Sequence, residues 1–340
     1  MPLAALAGTE IAGDVAAALA RVPAGPGVGQ LVGPDGRSLV VGTASSLRRW
    51  AAGHLGMGKP PAPGKRPRTN LAPVAAAIAW VEADAPFRQR LLYERLMAPL
   101  VPLAARRDLK PPAFLHLDPG ARFPRVSVRG KDADRAHLFG PFRDRRDAER
   151  AREAVHRLFP LRPCEYAFEP HPELALGVGC VFAQVRSCSA PCLGRVSEDE
   201  YRVLAVRAEA WLADPSSRVE APEAVPWLVA RAASSRGLVV DPGRKAVGLY
   251  PIAGGRVADD AAAVVAPETI GPALGALLWD VPSEAPDDWP WLLAWLRSPK
   301  SRRAFVPVSP ADTPADLVAR VRAVLPPRFG GNVGRPRGQG

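Results

Sequence analysis

Four cysteines are the entire thiol complement of this 340-residue chain, and all fall in one short stretch: Cys164, Cys180, Cys188 and Cys192. Their spacing is C-x15-C-x7-C-x3-C. Thiolates gathered in this number can hold zinc or an iron–sulfur cluster. Structural zinc sites commonly pair their cysteines at C-x2–4-C twice over, and only Cys188 and Cys192 meet that spacing. Four buried thiols packing a small subdomain are the plainer reading. Nucleophilic chemistry needs a partnering histidine, and the nearby ones are badly placed: His156 falls on the preceding predicted helix and His171 in a proline-flanked loop.

The second chemical signal is charge. A net charge of +11 favours a polyanionic partner such as nucleic acid, with solubility as the plainer alternative. Residues 56–73, GMGKPPAPGKRPRTNLAP, hold Lys59, Lys65, Arg66 and Arg68 in a Gly/Pro-rich loop, which suits phosphates and water equally. Trp289, Trp291 and Trp295 invite a base-stacking reading. Their spacing amid leucines favours core packing instead.

These residues need elements to position them. No apolar run approaches the roughly 20 residues that span a bilayer, so no membrane role is expected. Residues 1–21 carry Glu10 and Asp14 inside an apolar pattern and no basic leader segment. They read as an amphipathic helix rather than a signal peptide, which points to the cytoplasm, where thiols stay reduced. VGQLV and SLVVG flank the turn Gly33-Pro34-Asp35-Gly36 and predict a β-hairpin. A helix follows from Ser45 or Ser46. VAAAIAWVEAD suits strand or helix, and Leu91, Leu92, Leu96 and Leu100 set the stripe of another helix. KPPAFLHL and FPRVSV read as short strands, and Asp144 caps a helix with Ala148, Ala151 and Val155 on one face. Ser197 and Glu200 make a capping box that opens a helix ending at Asp214-Pro215. Beyond it, Asp-Pro-Gly and Gly-Gly turns join strands, and Thr313-Pro314 starts a last helix.

Several of these stretches resemble the N-terminal half of the UvrC excinuclease family. The cysteine block carries the likeness best. Leu158-Phe159-Pro160-Leu161-Arg162 before Cys164 resembles the family's L-F-P-L-R-x-C, and Cys188-Ser189-Ala190-Pro191-Cys192 with Gly194 resembles its C-S-A-P-C-x-G. The resemblance implies a four-iron four-sulfur cluster on the four cysteines, with zinc as the alternative. Arg162, Arg186 and Arg195 lie where the family approaches DNA.

Upstream, Pro26-Gly27-Val28 and Val41-Gly42 resemble the frame of the family's GIY-YIG nuclease hairpin. The two family tyrosines fall on Gly29 and Val40, the lysine on Thr43 and the catalytic arginine on Trp50. Arg48 and Arg49 lie beside that last position and join Lys65 and Arg66 as candidate DNA contacts. Leu91-Leu92-Tyr93-Glu94 resembles the segment whose glutamate holds the catalytic metal. An active divergent nuclease would use Glu94 for Mg or Mn, Arg49 for the phosphate and His54 as base. Glycine and valine supply no base, so a retained scaffold with a lost site is the leading reading.

The expected fold is α+β. A small GIY-YIG-like sheet with helices fills residues 1–110, and a helical, cysteine-rich metal-binding subdomain residues 111–215. A C-terminal α+β region of unassigned role covers 216–325, before a flexible basic tail at 326–340. The expected function is DNA binding in nucleotide excision repair, with DNA and other repair proteins as partners. The alternatives are an active endonuclease and a structural protein stapled by a metal.

Overall fold

The computed structural model describes residues 6–59, 68–102, 105–106, 109–130, 135–142, 144–172, 180–213, 230–231, 236–258, 262–277, 288–296, 298–309 and 312–329. Lys65, Arg66 and the tail after Phe329 lie outside the described residues. The architecture is α+β, with three small sheets and helices packed on them. Among the described residues, no helix is long and apolar enough to cross a membrane.

Residues 1–21 do not form the single helix that their apolar pattern predicts. β1 (Ala7–Glu10) is a strand, and only α1 (Val15–Arg21) is helical, N-capped by the Asp14 carboxylate, which accepts the Ala17 N–H at 2.9 Å. The hairpin forms as expected from β2 (Gly27–Val32) and β3 (Ser38–Ala44), with Gly36 left-handed at φ 76° in the turn. Gly29 sits directly opposite Gly42, and Leu31 opposite Val40. Ser46 caps α2 (Leu47–His54). The ambiguous segment resolves as a strand, β4 (Ala77–Glu82), giving the sheet order β1-β4-β2-β3. Pairing with β1 covers the β4 edge, which explains why that short segment leaves its helical pattern. The glutamate-bearing helix is α3 (Pro86–Met97), with Pro86 in its first turn.

The middle sheet contains β5 (Ala113–His116), β6 (Ser127–Arg129), β7 (Leu138–Phe142) and β8 (Ala230–Arg231), ordered β6-β5-β7-β8. β8 thus joins this sheet from beyond residue 215. Two helices pack on it, α4 (Arg145–Leu158) and the later α6 (Glu198–Ala213). Among the described residues between them stands one further short turn of α-helix, α5 (Val181–Gln184). Leu115, Phe139 and Phe142 of the sheet meet Ala151 and Val155 of α4 and Tyr201, Ala205 and Leu212 of α6 in one core. The outer face of α4 is laced by pairs such as Arg152–Glu149 and Arg145–Glu149, as its near-balanced charges suggest.

The last sheet has β9 (Arg236–Pro242), β10 (Val247–Ala253), β11 (Arg256–Val257), β12 (Ala263–Val265) and β13 (Phe305–Pro307). Around it lie α7 (Ile270–Ala276), α8 (Trp289–Leu296), α9 (Pro299–Arg303) and α10 (Pro314–Val324), the last opened by a Thr313–Asp316 capping box. Trp289 and Trp291 are buried in the core, as their spacing predicted, and Trp295 is half-buried beside them.

Helix α3 joins the parts. Phe87 and Leu91 share a core with Tyr250, Trp291 and Leu292 of the C-terminal region and with Phe114 and Leu138 of the middle sheet. Polar contacts reinforce the join: Asp241 accepts the Arg88 N–H at 2.8 Å, and Arg95 pairs bidentately with buried Asp288 at 2.5 and 2.9 Å.

Candidate functional site

At the first tyrosine position of the hairpin resemblance, Gly29 leaves a space that the chain itself fills. A Cβ on Gly29 would lie 2.5 Å from Trp50 Cζ3, and one on Gly42 would lie 2.7 Å from its Nε1. The indole of α2 is therefore seated on two facing glycines of the hairpin, buried to 8% exposure. The two positions at which the sequence was expected to depart from the resemblance, Gly29 and Trp50, thus pack against each other: a residue without a side chain leaves the seat and the indole fills it. His54, one turn along, lies against Trp50 with ring centroids 5.0 Å apart and the planes tilted by 59°. Burial, and then the Arg68 charge, lower its pKa from the usual histidine value. Arg48 caps the end of α1, its guanidinium donating to Val22 O at 2.8 Å and Ala20 O at 3.3 Å. Arg49 and Thr43 are exposed.

Glu94 is not a solvated helix residue. It is 5% exposed and pairs with Arg106, itself 7% exposed, through two guanidinium contacts, the longer at 3.3 Å. Arg90, one turn earlier on α3, holds Glu94 Oε1 at 2.5 Å. Both guanidiniums also lie 5.6 Å from the Tyr93 ring centre. The position expected to hold a cation thus holds two, both from the protein. Among the described residues no hydrogen bond or ion pair connects Glu94 with Arg49 or His54. Sequence reasoning missed Arg106, whose only signal was a basic residue shortly after α3.

The cysteines lie in the chain that links α4 to α6, with Cys180 capping α5 and Cys192 in a 3-10 turn. Cys188 and Cys192 are buried, Cys164 and Cys180 half-buried, and all four are free thiols. The Ala190 N–H donates to Cys188 Sγ at 3.3 Å, from a left-handed Ala190 at φ 57°. Burial pushes the Cys188 thiol up to about 11, and the other three cysteines push it the same way. Burial, then Cys180 and Cys164, also raise Cys192. Among the described residues no group of three or more His, Cys, Asp or Glu side chains is gathered tightly enough to hold a metal ion.

Arg162 serves the architecture of this loop. Its Nε donates to Phe123 O at 2.7 Å and its Nη1 to Tyr166 O at 2.8 Å, and the guanidinium lies over the Phe168 ring at 5.3 Å. Its peptide N–H donates to Tyr201 Oη at 2.7 Å, while that hydroxyl donates to Pro124 O at 2.9 Å. Tyr201, fully buried, is the post on which the cysteine loop hangs. Arg186 and Arg195 are exposed on the same loop and remain available to a phosphate.

The sheet, the two helices on it and the cysteine loop fall in a segment that has known relatives. Residues 113–210 match the UvrC/Cho excinuclease middle domain. UvrABC system protein C of Geobacter metallireducens is 33% identical over 205 residues, covering 57% of this chain and 31% of that protein. The corresponding protein of Novosphingobium aromaticivorans is 30% identical over 196 residues, covering 57% and 29%. That of Gluconobacter oxydans is 28% identical over 207 residues, covering 60% and 31%. Over this part the chain is similar to the UvrC family, and it spans less than a third of the length of those relatives. No solved structure matches the chain.

Proposed function

We propose that the chain is a DNA-binding protein of nucleotide excision repair, built on the first part of a UvrC-type excinuclease whose GIY-YIG site no longer cuts. The observation that carries this reading is the filled site. Trp50 occupies the space over Gly29 and Gly42, and Arg90 and Arg106 neutralise Glu94. A phosphodiesterase of this kind needs a polarised nucleophile and a carboxylate open to a divalent metal. An indole and two guanidiniums supply neither. DNA contact falls to Arg186 and Arg195 on the cysteine loop and to the exposed Arg49, in a cytoplasmic protein that works with other repair proteins. A plasmid-nicking assay with Mg²⁺ or Mn²⁺ tests the claim. No metal-dependent nicking is expected; nicking that disappears in Glu94→Ala overturns it.

From their number and type we infer that Cys164, Cys180, Cys188 and Cys192 would hold a four-iron four-sulfur cluster, with zinc as the alternative, although among the described residues they are not gathered tightly enough to hold a metal ion. Two observations support this donor set: all four side chains are unpaired thiols, and a backbone N–H already donates to one sulfur. When bound, the group would supply a covalent staple for an otherwise irregular loop. Anaerobic purification with metal analysis tests it. Visible absorbance lost in Cys188→Ser is expected, and a colourless, metal-free chain overturns it.

A further inference from the structure

Between the start of α3, the end of β9 and α9 lies a cleft of ≈ 740 Å³. Ligand pockets commonly measure roughly 300–1,000 Å³. Pro86, Val240 and Val324 give it an apolar floor. Lys300, Arg303 and Arg328 line it, together with the hydroxyl-bearing Ser298 and Ser301. Among the described residues Asp241 is the one acidic side chain in the lining, and it already accepts the Arg88 N–H. Neither Lys300 nor Arg303 has an ion-pair partner among the described residues. Arg328 donates to Gly243 O at 2.9 Å and lies over the Phe329 ring at 4.9 Å, which fixes it at the rim.

Trp295 forms one wall, half-buried where Trp289 and Trp291 are buried, with its ring edge-on to Phe87 at 4.8 Å. It also borders a second hollow of ≈ 580 Å³, lined by Val41, Thr43, Arg90 and Tyr93. Trp295 and Pro86 thus border both hollows, one beside the C-terminal helices and the other beside the hairpin.

We propose that the larger cleft is a nucleotide site, with the phosphate on Lys300, Arg303 and Arg328 and the base against Trp295. The volume exceeds what an inorganic anion fills, and the lining joins cations to an apolar floor and an aromatic wall. That combination suits a heteroaromatic ring carrying a phosphate. Such a ligand comes either as a free nucleotide or as one unit of a single DNA strand that passes Trp295 into the second hollow. The site stands apart from the loss of cutting and from DNA contact at the cysteine loop.

The test uses the full chain and two probes: ATP by calorimetry, and fluorescein-labelled (dT)8 by anisotropy at low salt. Binding of ATP identifies a free nucleotide, and binding of (dT)8 alone identifies a strand. In either case Lys300→Ala/Arg303→Ala is expected to weaken binding about tenfold or more, because two phosphate contacts are lost. Trp295→Leu should weaken it several-fold and Trp295→Phe should not. Lys300 and Arg303 are exposed, so an unchanged melting temperature is the check that the double variant folds. The proposal is overturned if neither probe binds. It is equally overturned if the double variant binds as well as the parent while Arg186→Ala/Arg195→Ala abolishes binding.

Discussion

Replacing Arg106 with methionine tests the reading of Glu94 most directly. Glu94 and Arg106 are each nearly sealed from water, with side-chain exposures of 5% and 5%. Breaking such a pair by removing one partner typically costs about 3–5 kcal/mol, because the other charge is left buried. Arg90 remains, but its side chain is 29% exposed, and a pair of that kind offsets only ~1 kcal/mol. Arg106→Met should therefore destabilise the chain by about 2–4 kcal/mol. With a urea slope of roughly 2–3 kcal/mol per molar, the midpoint should fall by about 1 M. Glu94→Gln combined with Arg106→Met removes both charges and should recover most of that loss, giving a coupling of about 2 kcal/mol or more. Urea unfolding followed by far-ultraviolet circular dichroism measures all three variants. A single variant within ~0.5 kcal/mol of the parent would refute the buried pair. So would a parent midpoint that rises with millimolar Mg²⁺ when that of Glu94→Gln does not, since a ligand that binds only the folded state stabilises it.

Placing a tyrosine at Gly29 should destabilise the chain by about 1–3 kcal/mol, since its Cβ alone would meet the Trp50 ring at 2.5 Å. The cost should shrink in a Trp50→Arg background, and equal costs in the two backgrounds, read from urea midpoints, would show that the indole and the glycine are not matched. Asp241 gives a pH signature. Burial pushes its carboxyl up to about 6, against the pull of the Arg88 and Phe87 N–H groups, so the folded chain holds this proton more tightly than the unfolded one. Its contribution to stability grows as pH falls from about 6 towards about 4, and ionisation above pH 6 works against the fold. Asp241→Asn keeps an acceptor for the Arg88 N–H and removes the charge, so its melting temperature should exceed that of the parent at pH 7.5 by more than at pH 4.5. A difference that is the same at both pH values contradicts the assignment.

The parts of this fold that local chemistry dictates were legible in the sequence. The Pro-Asp-Gly turn fixed the hairpin, and the caps at Ser46, Asp144, Ser197 and Thr313 started helices where expected. The tryptophan spacing marked two buried core residues. What escaped was set by contacts between residues distant along the chain. β1 lies inside an apolar pattern that reads as helical, and it becomes a strand because β4 offers an edge to pair. Glu94 reads as a surface residue until the chain after α3 folds back and brings Arg106 to it. The seat for Trp50 required the strand register that sets Gly29 against Gly42, although two glycines in one hairpin with a tryptophan just beyond were already a hint.

One small strand has consequences for how this protein can be divided. After α6 ends at Ala213, the chain returns to lay Ala230 and Arg231 against Gly140 and Phe139 of β7. The unit matched over residues 113–210 therefore borrows its outermost strand from chain that follows it. A shortened gene product ending between residues 213 and 230 would lack this neighbour of β7. The bared backbone would then be a template for pairing with another molecule. The C-terminal region is stitched into the middle of the protein, so removing it changes the part that remains.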